Sequence, residues 1–128
     1  KILEEKYGLS AEIIDARSLV PFRYEKVIES VAKTGRIVIT GDATTRGSFM
    51  KEMAQTISEL AFDELDAPPV VVGSRNWITP AYELEDAFFP QASWIVDAIH
   101  ERIVPLDGHT PSTNWSEHAQ LERNRKGI

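Results

Sequence analysis

Cysteine is missing from all 128 residues, and its absence removes disulfides, thiolate nucleophiles and zinc–thiolate sites together. Long apolar runs are missing too. The longest are strand-sized, such as Pro69 to Gly73, far short of the roughly 20 residues a bilayer-crossing helix requires, so no membrane span is expected. Positive charge is scarce: 14 basic residues stand against 20 acidic ones, a net charge of −6, and the basic ones are scattered rather than striped. A nucleic-acid backbone would be repelled more than attracted. Catalytic signatures are also lacking. There is no G-x-S-x-G elbow, and His100, His109 and His118 stand at no helical pair spacing and without the acidic partner of an HExxH zinc site, so no metal site is expected. Asn114-Trp115-Ser116 matches a glycosylation sequon, but the opening residues do not read as a secretory signal.

What is present is an ordinary folding composition. With 42% apolar and 27% charged residues, no proline–glycine excess and no internal repeat, the chain reads as one domain. Such a length buries about two thirds of the surface its unfolded form exposes.

Periodicity supplies the elements. KILEEKYG carries Ile2, Leu3 and Tyr7 on one helical side and Gly8 where a helix stops, so it reads as the last turns of a longer helix. AEIID, residues 11–15, reads as a short strand. From Tyr24 to Lys33 the apolar positions Val27, Ile28 and Val31 predict an amphipathic helix, closed by Thr34-Gly35. RIVIT follows as a buried strand. Ser48 is placed to cap a helix with Met50, Met53, Ile57, Leu60 and Ala61 on its apolar side. PVVVG is the next buried strand. After an irregular stretch with one helical turn at Glu83 to Ala87, Trp94, Ile95, Ala98, Ile99 and Ile103 mark a final helix stopped by Pro105. This alternation predicts an α/β fold: three αβα layers around a mostly parallel open sheet. Residues 105–128 are polar and set apart as a tail from a domain spanning 1–104. Such a tail is either mobile or held by another surface, and Trp115 with Leu121 gives it two apolar anchors for the second.

The loop of GDATTRGSF, between the second strand and its helix, tests for phosphate binding. Gly41 and Gly47 are one residue too far apart for a Walker loop, and Ser48 stands where its lysine belongs. A dinucleotide loop needs three glycines, and Asp42 would repel a docked phosphate, although Arg46 and the helix amides could offset part of that. The reading is a structural turn in which Gly47 permits a tight approach while Asp42 or Thr45 bonds free amides.

Three ordered stretches carry a resemblance. AEIIDARSLVPF, KTGRIVITGDATTRGSFMKEMAQTI and LDAPPVVVGSRNWITPAYELEDAFFPQASWIVDAI are similar, in order and spacing, to the C-terminal transketolase-like domain in the beta subunit of thiamine diphosphate-dependent 2-oxo acid dehydrogenases of the pyruvate, branched-chain and acetoin type. The resemblance covers about residues 1–104. It implies an oxidoreductase that decarboxylates a 2-oxo acid and passes the acyl group to lipoyl-lysine, within a multienzyme complex of the cytoplasm in bacteria or of the mitochondrial matrix. Thiamine diphosphate and magnesium belong to the full assembly, not to this domain alone. The implied partners are an alpha subunit, a second beta subunit and the lipoyl acyltransferase core. The domain's part is then positional, with no catalytic, cofactor-binding or metal residue of its own.

By position, Asp15, Arg17, Leu19 and Pro21 match the first family stretch, and Gly47 and Phe49 match the start of the next helix. Asp42 stands where the family commonly has glutamate. Gly41, Ser48, Val71, Asn76 and Ile78 depart from a common histidine, glycine, arginine, aspartate and proline. The candidate interface residues are Arg17, Pro21, Asp42, Arg46, Phe49, Asn76 and Trp115, the last anchoring the tail on a neighbouring subunit. Family domains also start with a strand before the helix in which Lys1 falls, so chain is expected upstream of Lys1. Alternatives are a free-standing nucleotide- or phosphate-binding α/β domain, the related domain of transketolase or deoxyxylulose phosphate synthase, and an acidic adaptor for a basic partner.

Overall fold

The computed structural model describes residues 1–112. Helix α1 (Ile2–Tyr7) closes on Gly8, whose φ of 66° lies in the left-handed region that glycine enters without penalty and whose amide donates to the Glu4 carbonyl. Helix α2 (Glu25–Thr34) ends the same way at Gly35. Strand β1 (Val38–Thr44), helix α3 (Phe49–Leu60), a 3-10 turn (Phe62–Glu64) and strand β2 (Val70–Ser74) follow. A second 3-10 turn (Tyr82–Leu84) leads into the single helical turn α4 (Glu85–Phe88), and α5 (Ala92–Arg102) closes the series.

β1 and β2 pair in parallel, Val38 opposite Val70, Ile39 opposite Val71 and Thr40 opposite Val72. Side chains of successive strand residues point to opposite faces, and the clusters show it. Val71 packs with Met50 and Ala54 of α3. Its neighbours Val70 and Val72 pack with Ala98 of α5, joined by Trp94, Ile95 and Ile103. Helices therefore cover both faces of the sheet, which is why β2 is buried at every position and reads as an unbroken apolar run. The α2 stripe, Val27 and Val31, seats on Ile57 of α3 and on Ala61 just past its end, where Ile57 is fully buried. This is the expected α/β layering with a parallel sheet.

One expected strand is not there. Residues 11–15 form no strand, and Ile13 is 91% exposed. A strand exists only by its ladder, and the described residues place none beside this segment. What holds it is a surface ion pair from Lys33 to Glu12, 2.9 Å, and a local one from Arg17 to Asp15.

The stretch after α5 is fastened to the domain. Leu106 is buried, and its amide donates to Nδ1 of His100. The carboxylate of Asp97, 1% exposed on α5, takes His109 Nε2 on one oxygen at 2.7 Å and the amide and hydroxyl of Ser112 on the other. An ionised carboxylate only accepts, so Nε2 carries the proton, and in the neutral ring Nδ1 accepts from the Tyr7 hydroxyl of α1 at 2.7 Å. One buried carboxylate thus ties residues 106–112 to the last helix, and through His109 to the first. It is satisfied as a buried charge must be.

Candidate interface at the strand ends

The carboxyl ends of β1 and β2 are where an open α/β sheet presents its loops. Between Thr40 and Thr44 the register breaks, so that Thr44 comes opposite Ser74 and β1 bulges over the end of β2. Gly73 makes room for the bulge. A Cβ there would lie 2.5 Å from the Ala43 carbonyl oxygen and 2.8 Å from Met50 Cε, an approach no side chain tolerates.

The two loops are stitched together by their own polar groups. The buried Thr45 donates its amide (3.2 Å) and its hydroxyl (3.4 Å) to the Ser74 carbonyl. In return the Ser74 hydroxyl donates to the Asp42 carbonyl at 2.6 Å. The amide of Arg46 donates to Asn76 Oδ1 at 2.8 Å, and the Thr44 hydroxyl bonds the Arg46 carbonyl. The expected turn is present, with other bonding. Neither Asp42 nor the Thr45 side chain satisfies free amides, a role taken by Asn76, and Ser48, at the N-cap of α3, donates its hydroxyl back to the Thr45 carbonyl instead of accepting from the helix. Gly47 adopts φ 69°, with nothing within 4 Å of a Cβ placed there, so its role is backbone conformation, while Gly73 has the role of close approach.

Of the seven residues proposed from sequence, the fold brings Asp42, Arg46, Asn76 and Phe49 to this one end. Asp42, Arg46 and Asn76 are exposed, and Phe49 is half-buried at the first position of α3. Arg17 and Pro21 belong to the other exposed stretch, before α2. Trp115 lies outside the described residues.

The strand ends do not form a diphosphate cradle. The amides of Thr45 and Arg46, which a phosphate loop would aim at an anion, are already engaged, and the exposed Asp42 adds a like charge. Among the described residues no cluster has the makings of a metal site. His100 and His109, nine residues apart in sequence, do bring their rings to 5.0 Å, but the Nδ1 atoms are taken by Leu106 and Tyr7.

Sequence reasoning passed over Arg75. It directly follows β2, is only 8% exposed, and its amide donates to the Phe88 carbonyl. Its guanidinium carbon lies 3.8 Å from the centroid of the Trp94 ring on α5. Burial pushes its pKa below the ordinary arginine value. A charged residue adjoining an all-buried strand was the available signal. Beyond it the connection turns outward: Trp77, Ile78, Tyr82 and Leu84 are exposed, Ile78 at 93% and Tyr82 at 81%. This array of large apolar groups beside a locked polar loop has the composition of a contact surface rather than of a ligand pocket.

Comparison with known proteins agrees with the fold. Residues 1–95 match the family model described as transketolase, C-terminal domain. The chain is 42% identical over 104 residues to the mitochondrial pyruvate dehydrogenase E1 component subunit beta of Saccharomyces cerevisiae, covering 79% of this chain and 28% of that one. It is 48% identical over 65 residues to the mitochondrial 2-oxoisovalerate dehydrogenase subunit beta of Dictyostelium discoideum, 51% of this chain and 18% of that one. With the pyruvate dehydrogenase E1 component subunit beta of Leifsonia xyli it shares 37% over 92 residues, 72% of this chain and 27% of the relative. The chain thus spans about a quarter of the length of such relatives. The matched family model, the parallel sheet between helices and the two locked strand-end loops lead to one conclusion: this chain belongs to the transketolase C-terminal domain family.

Proposed function

We propose that the chain serves as the subunit-interface and assembly domain of a thiamine diphosphate-dependent 2-oxo acid dehydrogenase, within its beta subunit. The observation that carries this reading is the contrast at the strand ends, where polar groups bond one another while Trp77, Ile78 and Tyr82 face outward. A domain with this surface acts by holding other groups in place, and position alone is a large factor when a site is shared between chains. The coenzyme and its magnesium belong to the assembly, with an alpha subunit, a second beta subunit and the lipoyl acyltransferase core as partners. Both mitochondrial and bacterial relatives exist, which suits a matrix or bacterial cytoplasmic complex. Arg17, Pro21, Asp42, Arg46, Phe49 and Asn76 are its candidate contacts, with Trp115 as the tail's anchor.

The test is turnover and binding. By calorimetry the isolated chain should bind neither thiamine diphosphate nor a nucleotide, and it should decarboxylate no 2-oxo acid, whereas the full-length beta subunit with its alpha subunit should do so. Coenzyme binding or turnover by the isolated chain would overturn the reading. A chain ending at Ser112 keeps the Asp97 fastening, so unchanged assembly of that chain would remove Trp115 from the interface.

A further inference from the structure

Arg75 is a largely buried cation, 8% exposed, with no anion among the described residues to meet it. Its guanidinium makes no hydrogen bond or ion pair within the described residues, and its one close partner is the face of Trp94. Desolvating an ion opposes folding, and a cation–π contact offsets only part of that opposition. No carboxylate among the described residues adds a counter-charge. On α5, the carboxylate of Asp97 is engaged by His109 and Ser112. Glu83, Glu85 and Asp86, further along the same connection, are exposed and reach no cation.

The planar fork of an arginine matches a carboxylate in a paired geometry. The surroundings select where that carboxylate comes from. Trp77, Ile78, Tyr82 and Leu84 follow Arg75 within nine residues and are exposed, and tryptophan, tyrosine and arginine together are the composition of interface hot spots. A free inorganic anion gains nothing from those apolar groups, whereas a protein segment buries them. From the unmet charge and this apolar flank, we propose that Arg75, backed by Trp94, is the receptor for a carboxylate presented by a partner chain and flanked there by apolar side chains. The partner's origin rests on the assembly reading above. It also gives this surface a local sign opposite to the net charge of −6: at Arg75 the domain recruits an acidic group, not a basic one.

The test uses the full-length beta subunit with its alpha subunit, in parent, Arg75→Met and Arg75→Lys forms. Removing one partner of a desolvated charge pair raises dissociation steeply, so Arg75→Met should weaken assembly about 30-fold or more, with Arg75→Lys between it and the parent. In the Arg75→Lys protein, a carbodiimide should condense the new amine with the facing carboxylate, forming an amide with loss of one water, and mass spectrometry should place that link on a partner chain. Even if Arg75→Met fails to fold, the link in the Arg75→Lys protein decides the matter. A dissociation constant for Arg75→Met within threefold of the parent at unchanged Tm would overturn the proposal. So would a link from position 75 only to a carboxylate of its own chain, such as Glu117 or Glu122. Calorimetric binding of inorganic phosphate that Arg75→Met abolishes, with assembly unaltered, would reassign the site to free anions and overturn it too. Failure of the parent to assemble would sink the assembly reading and this one with it, whereas assembly indifferent to Arg75 sinks this one alone.

Discussion

Residues 10–20 include Ile13, Ile14, Leu19 and Val20 and are exposed throughout, whereas residues 106–112, polar apart from Leu106 and Pro111, are held against two helices. Apolar content would rank them the other way. What separates them is partners. The first stretch has neither a neighbouring strand among the described residues nor a buried group of its own, only ion pairs at the surface, where such pairs contribute little. The second meets a carboxylate that is already buried on α5, and that carboxylate needs its donors.

The largest effect should come from removing that carboxylate. Asp97→Ala strands the donors of His109 and Ser112 and should lower stability by about 3 kcal/mol, read as a shift of the denaturant midpoint. Loss no greater than that of a surface substitution would erase the distinction between the two stretches. Tyr7→Phe removes only the outer bond of the chain, from α1 to His109, and should lower stability by about 1 kcal/mol by the same measurement.

A smaller effect lies on the exposed side. The Ser30 hydroxyl, then Lys33, hold the Glu12 carboxyl below its usual 4.5, and Glu12 holds the Lys33 ammonium above its usual 10.5. A lowered carboxylate contributes stability that is present above pH 4.5 and lost as pH falls through its folded value. A raised ammonium contributes stability that is present below pH 10.5 and lost as pH rises through its folded value. In thermal melts Glu12→Gln should therefore be slightly destabilising at neutral pH; the difference should vanish as pH falls through the folded value of Glu12, and should shrink to the Ser30 part as pH rises through that of Lys33 or as salt screens the pair. The smallest effect belongs to Ile13→Ser, which should leave stability of this chain within about 0.5 kcal/mol. A clear loss would mean that the residue is covered after all.

The periodic elements were legible in the sequence. Val27 and Val31, the Met50 to Ile57 stripe and the valines of β2 lie where their spacing placed them. β1 ran further than expected, through Gly41 and Asp42 to Thr44, because pairing with β2 and the bulge over Gly73 override weak local propensity. The segment 11–15 was misread for the converse reason, since two isoleucines cannot make a ladder without a neighbour. At the candidate site, the glycine-bearing turn and Asp42, Arg46, Phe49 and Asn76 could be read from sequence. Arg75 on Trp94, and Asp97 beneath His109, could not. Each pairing joins residues from different elements, and no periodicity records which side chains meet across a fold.

Ser74 has a consequence beyond its own bonds. Because its carbonyl and hydroxyl clasp both ends of the β1 loop, and Gly73 leaves no slack beneath, the two loops form one preorganised platform. A docking molecule meets a surface whose backbone order was settled during folding, so less entropy is lost on encounter. Strain applied at Arg46 should also reach Asn76 without passing through the core.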